Sequence, residues 1–293
     1  MSTTFDNAKS IAGPGQIGLR GWLRIVRSVH LESVQHDMTT TAAAISFLVI
    51  FGVLSSISAF VAFYGLFTST KAITSSWQSL SGFVPADTLL TLIGQMNGVA
   101  SQPHATLLSA GIFSLGMAIW CAQQGMSTLM RALNRAYYLT PKHTPLMHLI
   151  KSLWIAVEVV LGLLFTAFLA IGVPKIASNF SKASWWPEIT RDGGLIIGGL
   201  VLFAGLIALY RWVPDRKPPR WRWIRPGAVL VVGFWTVASS LFSIFLGYWN
   251  SYTAMYGSLS AMLIFLTLTY VATISVLLGA ELNAQVERYI PPE

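Results

Sequence analysis

One run of residues decides what this chain can be. Leu259 to Gly279 is a stretch of 21 residues without a charge. As a helix rising about 1.5 Å per residue it reaches about 31 Å, which matches a hydrocarbon core about 30 Å thick. Lipid offers the backbone no water to bond, so an isolated apolar run of this length spans as a helix. Five other apolar runs obey the same rule. The expected spans are about 42–67, 106–124, 149–173, 193–210, 226–248 and 259–279. Composition agrees: 54% of residues are hydrophobic and 10% charged, against about 25% charged in soluble domains.

The expected fold is therefore all-α: a polytopic membrane protein, a bundle of six transmembrane helices preceded by an interfacial amphipathic helix. Residues 1–17 are polar and read as a disordered tail, 18–288 as the membrane domain, and 289–293 as a short C-terminal tail. No early apolar segment suggests a cleavable signal, so the first span is expected to act as an uncleaved anchor. In the leading helix, Trp22, Ile25, Val26, Val29 and Ser33 share a face, with Arg24, Arg27, Glu32 and Gln35 away from it. That pattern suits a headgroup layer, and equally a soluble helix packed on the ends of the spans. Leu89, Leu92, Ile93 and Met96 follow Pro85 and Asp87 at helical spacing and suggest a short amphipathic helix on the outer surface. Pro226 is expected to open span 5. Gly194 and Gly198, with Gly199 and Gly205 nearby, would let another helix approach span 4 closely, in a dimer contact or within the chain.

Charge sets the orientation. With the N-terminus inside, fifteen of the 19 Lys and Arg residues fall in cytoplasmic segments and four outside. Both termini are thus expected in the cytoplasm. The lone cysteine, Cys121, cannot make an intrachain disulfide.

Several blocks, taken in order, carry a family resemblance. They are Ala42-Ala43-Ala44-Ile45-Ser46-Phe47 with Tyr64-Gly65-Leu66, then Ala132-Leu133-Asn134-Arg135-Ala136-Tyr137. Leu209-Tyr210 with Pro214 and Pro226-Gly227-Ala228 follow. Last come Tyr256-Gly257-Ser258-Leu259 and Gly279-Ala280-Glu281-Leu282-Asn283. Together they resemble the YihY/BrkB family of bacterial inner-membrane proteins over roughly residues 20 to 288. The family often has a proline in the first span, where this chain reads Gly52-Val53-Leu54-Ser55-Ser56. The resemblance implies a bacterial inner-membrane location and a role in envelope integrity. For part of the family it also implies movement of lipids or other amphiphiles.

Three groups of residues are candidates for function. Glu158 lies within span 3, where an acidic group costs about 2.5–3.5 kcal/mol on insertion scales. It is expected to face inward, as a substrate or proton pathway or as a hydrogen-bonded tie between helices. Asp37, Arg131, Asn134, Arg135, Glu281 and Asn283 should meet at the cytoplasmic ends as a gate or latch, with Arg131 or Arg135 paired to Glu281 or Asp37. Arg211, Arg216, Lys217, Arg220, Arg222 and Arg225, interleaved with Trp212, Trp221 and Trp223, suit anionic lipid headgroups or simple topology determination. Asn250, Tyr252 and Tyr256 in an uncharged outer loop are a weaker candidate for a plug.

No catalytic set, metal-ligand spacing, phosphate loop or cofactor motif is visible. Proteins of the resembled family have carried the label ribonuclease BN, but no acidic cluster here could hold the ions of nuclease chemistry. The expectation is a transporter or flippase-like protein for an amphipathic or anionic component, with membrane lipids as partners. It is not expected to be an enzyme, to need a cofactor or to bind nucleic acid, and a homo-oligomer is compatible with the glycine-rich span. The alternative is a scaffold that maintains the envelope and moves nothing.

Overall fold

The computed structural model describes residues 17–67, 103–139, 145–167, 186–216, 221–246 and 259–289. Of Phe67, Pro145, residues 163–167, 186–198 and 221–223, Ser239, Ser243, Phe245 and Leu246 only the backbone is described. The N-terminal tail, the helix expected around residues 89–96 and the outer loop with Asn250, Tyr252 and Tyr256 lie outside the described residues.

The described elements are all helices: α1 (Leu19–Gln35), α2 (Met38–Phe67), α3 (His104–Ala136), α4 (Pro145–Ala167), α5 (Trp186–Trp212), α6 (Trp221–Leu246) and α7 (Leu259–Tyr289). Among the described residues, α2, α3, residues 224–242 of α6, and α7 are long and apolar enough to cross a membrane. In α5 a shorter apolar helix, Gly199–Trp212, is described. Serine and threonine fit within these apolar helices because their hydroxyls bond back to the preceding turn. Ser46 donates to Ala42 O at 2.7 Å, Thr236 to Val232 O at 2.9 Å and Thr273 to Thr269 O at 2.8 Å.

The chain divides into two compact units. One comprises residues 47–124. Here Gly52 meets Cys121 Cβ, and Gly111 meets Phe63 and Ala62, so α2 and α3 run antiparallel within it. Small residues line this contact, and Phe113 and Trp120 face outward. That is the pattern of helices solvated by lipid, where packing rests on small residues.

The other unit holds residues 1–46 and 125–293. Its apolar core gathers Met38, Met130, Leu133, Ile207, Tyr210, Ile224, Val231 and Leu277. The closest helix pair is α6 against α7, running antiparallel. A Cβ on Gly227 would strike Gly279 O and come within 2.5 Å of Asn283 Nδ2. A Cβ on Gly279 would strike Tyr210 Oη and come within 2.8 Å of Val231 Cγ2. These two glycines let backbones touch. Gly199 and Gly205 do not: nothing lies within 4 Å of either Cβ position. Of Gly194 and Gly198, the pair on which close approach to span 4 was expected, only the backbone is described.

Two other expectations change. Pro226 sits inside α6, five residues after its start, rather than opening it. Proline has no N–H and its ring crowds the carbonyl four residues back. The next N–H, of Gly227, donates to the Asn283 side chain at 2.7 Å, so the disturbed turn is held from α7. The leading helix α1 packs on the end of α7, through Ile17 and Ile25 against Leu282 and Val286. Trp22 and Val29 flank that contact, as their shared face suggests, but Val26 turns outward with Leu19 and Leu23.

Candidate functional site

α7 stays helical ten residues beyond Gly279, and this extension organises a polar cluster. At 100° per residue, Gly279 and Asn283 share one face, and Glu281 and Gln285 another. The first face meets α6 at Gly227; the second meets the joint between α1 and α2.

That joint is two residues long, His36-Asp37. Asp37 adopts φ 50, a left-handed conformation that short polar side chains tolerate. It turns the chain sharply, so His36 Nδ1 sits 3.1 Å from Glu281 Oε2. Glu281 is completely buried, and its second oxygen accepts from Gln285 Nε2 at 2.7 Å. A buried carboxylate costs several kcal/mol unless its lone pairs are met, and here both oxygens are met.

The end of α3 mirrors this turn. Leu139 N–H donates to Asn134 O at 2.8 Å and Tyr138 N–H to Arg135 O at 2.9 Å, with Tyr138 at φ 55. This closure usually uses glycine. A tyrosine there carries strain of about 1–3 kcal/mol. Its ring offsets the strain by contact: the Arg288 guanidinium lies 3.8 Å over it, and His36 meets its edge at 5.1 Å.

Beside it, Asn134 is buried and ties α3 to the segment after α5. Its amide donates to Asp215 Oδ2 at 2.9 Å, and its oxygen accepts from Asp215 N–H at 2.9 Å. Lys151 of α4 completes the knot, with Nζ 2.5 Å from Asp215 Oδ1 and 3.2 Å from Val213 O. Arg216, next in the chain, makes a two-pronged pair with Glu287 and lies 3.8 Å over the Tyr137 ring. Burial pushes the Tyr137 phenol well above its ordinary value, although Arg216 pulls the other way. Tyr137 therefore stays protonated.

Of the six residues expected to meet as a gate or latch, Asn134, Glu281 and Asn283 are buried in this cluster, and the pairings differ from those expected. Arg131 and Arg135 pair with neither Glu281 nor Asp37. Arg131 donates to Ser127 Oγ at 2.7 Å and Thr128 Oγ1 at 2.9 Å, on its own helix. Arg135 reaches His36 O at 3.5 Å. Asp37 serves as the turn and not as a latch acid. His36, Lys151, Asp215, Gln285 and Glu287 are members that the sequence did not single out. Asp215 carried a signal nonetheless: it is the one acid in an arginine-rich connection.

The basic connection is likewise divided. Arg216 is turned inward to Glu287, which removes it from the lipid set. Arg225 is exposed on α6 and Arg211 partly buried at the end of α5. Of Arg222 only the backbone is described, and Lys217 and Arg220 lie outside the described residues.

Glu158 departs from its expected burial. It faces α5, seven residues beyond Lys151, on nearly the same side of α4. Yet it is exposed, and its carboxylate accepts from Trp154 Nε1 at 2.7 Å. A groove of about 330 Å³ lies between α4 and α5, and Gly162 and Gly205 on its walls have nothing within 4 Å of their Cβ positions. Glu158, Ile155, Leu206, Leu209 and Trp212 line it. Seven residues place Glu158 about 10 Å along the helix from the Lys151–Asp215 knot. Among the described residues, no group of three or more His, Cys, Asp or Glu could hold a metal ion.

Comparison with known proteins adds the following. A sequence profile described as "Virulence factor BrkB" matches residues 29–293. A "Putative ribonuclease-like protein YfkH" of Bacillus subtilis is 30% identical over 226 residues, covering 70% of this chain and 80% of that protein. A "UPF0761 membrane protein" of Chromohalobacter salexigens is 27% identical over 283 residues, or 90% of this chain. Another, of Verminephrobacter eiseniae, is 26% identical over 279 residues, or 94% of this chain. The match covers 64% of the length of each of these two membrane proteins. No solved structure matches the chain.

Proposed function

The chain belongs to the BrkB family of membrane proteins, and on that footing we propose that it moves an amphipathic or anionic envelope component, a lipid, across the bacterial inner membrane. The observation that carries this reading is the groove between α4 and α5, with a carboxylate on an otherwise apolar wall. An amphiphile crossing a bilayer needs its chain kept in apolar surroundings and its head given a polar contact on the way. A groove open at the side offers both without a closed pore.

The rest of the reading follows from charge and packing. The chain crosses six times, with both termini cytoplasmic and the polar cluster at the cytoplasmic ends. There the cluster acts as a latch, fixing α1, α3, α4, α6 and α7 while the groove wall changes. Arg211 and Arg225, with Lys217, Arg220 and Arg222, draw anionic headgroups. The work involves no covalent chemistry, no metal, no cofactor and no nucleic acid. The printed name "ribonuclease-like" belongs to the Bacillus subtilis relative alone.

A second reading, a scaffold that moves nothing, draws on Leu19, Leu23 and Val26. They leave an apolar stripe of α1 free for a partner.

Reconstitution separates the two. Liposomes containing the purified chain and labelled lipids should exchange label between leaflets faster than empty liposomes, and Glu158→Gln should slow this exchange while the fold survives. Native protein that matches empty liposomes would favour the scaffold.

A further inference from the structure

We infer that the groove between α4 and α5 is selective for amphiphiles bearing a primary ammonium, with one apolar chain laid along α5 and the ammonium held at Glu158. This deepens the transport reading and rests on it. Three observations combine. First, the groove is about 330 Å³, at the small end of ligand sites, which run from about 300 to 1,000 Å³. That suits one apolar chain of an amphiphile. Second, the described lining is apolar on the α5 side (Val201, Leu202, Leu206 and Leu209) and carries a single ionisable group, Glu158. Third, that group is already oriented. The Trp154 indole N–H holds Oε1 at 2.7 Å. The bond is between residues one helical turn apart, so it fixes the carboxylate without using a neighbouring helix.

Complementarity follows. A carboxylate beside lipid favours a cation that arrives with its own apolar chain, because both charges then lose less by leaving water. A carboxylic acid or phosphate head would meet like charge. Arg211, next in the chain to the lining residue Trp212, attracts an anion, so a zwitterionic amphiphile carrying both phosphate and ammonium matches both ends.

Gly205 makes the idea testable. A Cβ there meets no other atom within 4 Å, so Gly205→Leu projects a branched side chain into the groove from an open position. Two chain-matched probes are used, a dodecyl amine and a dodecanoic acid, each with a photoactivatable diazirine in the chain. The full-length protein is studied in phosphatidylcholine vesicles, and crosslinks to the peptide spanning residues 199–212 are counted by mass spectrometry. Gly205→Leu should abolish crosslinking by both probes. Glu158→Gln should weaken the amine about tenfold relative to the acid, equivalent to about 1.4 kcal/mol. If Glu158→Gln shifts both probes equally, or neither, while Gly205→Leu still removes both, the ammonium assignment is wrong and the groove remains a chain site. If Gly205→Leu changes neither probe, the groove is not a binding site, and both this inference and the transport path fall.

Discussion

The same conservative change should have opposite consequences at two glycines. Gly227→Ala places a methyl against the Gly279 carbonyl and within 2.5 Å of Asn283 Nδ2 and 2.8 Å of Asn283 Cγ. The carbonyl belongs to a helical backbone and cannot rotate aside, so α6 and α7 must separate. Overpacking of this kind costs about 1–3 kcal/mol. Separation also lengthens the 2.7 Å bond from Gly227 N–H to Asn283 Oδ1, at a cost of about 0.5–1.5 kcal/mol. Alanine's better helix propensity returns about 1 kcal/mol. The net expectation is destabilisation of about 1–3 kcal/mol. Gly205→Ala meets nothing within 4 Å and gains the propensity alone, so it should be neutral or up to about 1 kcal/mol stabilising. Thermal unfolding of the two variants in one detergent, followed by intrinsic fluorescence, reads the difference directly. Equal stability of Gly227→Ala and the native protein would refute the backbone contact on which the α6–α7 arrangement depends.

Other expectations follow from the polar cluster. Lys151→Met removes the ammonium from the buried Asp215 carboxylate and should cost up to about 3–5 kcal/mol. The double variant Lys151→Met, Asp215→Leu should recover part of that loss, and a strictly additive thermal-shift cycle would count against a coupled pair. Glu281→Ala strips the acceptor from His36 and Gln285 and should loosen α1 from α7, seen as faster amide exchange across residues 19–35. Unchanged exchange in α1 would show that Ile25 and Val286 hold it unaided. Tyr138→Gly relieves the left-handed backbone but loses both ring contacts. Stability should therefore change by less than about 1.5 kcal/mol, whereas Tyr138→Ala, keeping the strain without the ring, should cost more.

Hydropathy made four of the expected spans legible, those in α2, α3, α6 and α7, because it is a property of whole segments. The run from Leu259 to Gly279 could hardly be anything but a membrane helix, and the continuation of α3 past its apolar stretch was readable from Arg131 to Arg135. Helix rotation was not readable. α2 and α7 are apolar nearly all round in their spanning parts, so no amphipathic stripe says which face meets protein and which meets lipid. The contact at Gly227 and Gly279, the open positions at Gly199 and Gly205 and the groove beside Glu158 could therefore not be read from the pattern. The blocks Leu133-Asn134, Tyr210, Pro226-Gly227 and Gly279 to Asn283 were visible as separate motifs. Asn134, Glu281 and Asn283 were expected at one end, but the approach of Tyr210 and Pro226-Gly227 to Gly279 and Asn283 was not readable, because it depends on helix rotation and on α7 staying helical through its polar end. The partners were also hidden by distance: His36 and Glu281 are 245 residues apart. Only the sharp turn at Asp37 and the extension of α7 bring them together.

The groove carries most of the functional account, and blocking it is the most direct trial. Leaflet exchange of labelled lipid should be measured in liposomes holding either the native chain or Gly205→Leu, with equal insertion and equal thermal stability confirmed for both. The account predicts that the native chain exceeds empty liposomes and that Gly205→Leu falls to the empty-liposome rate. Full exchange by the blocked variant would contradict it.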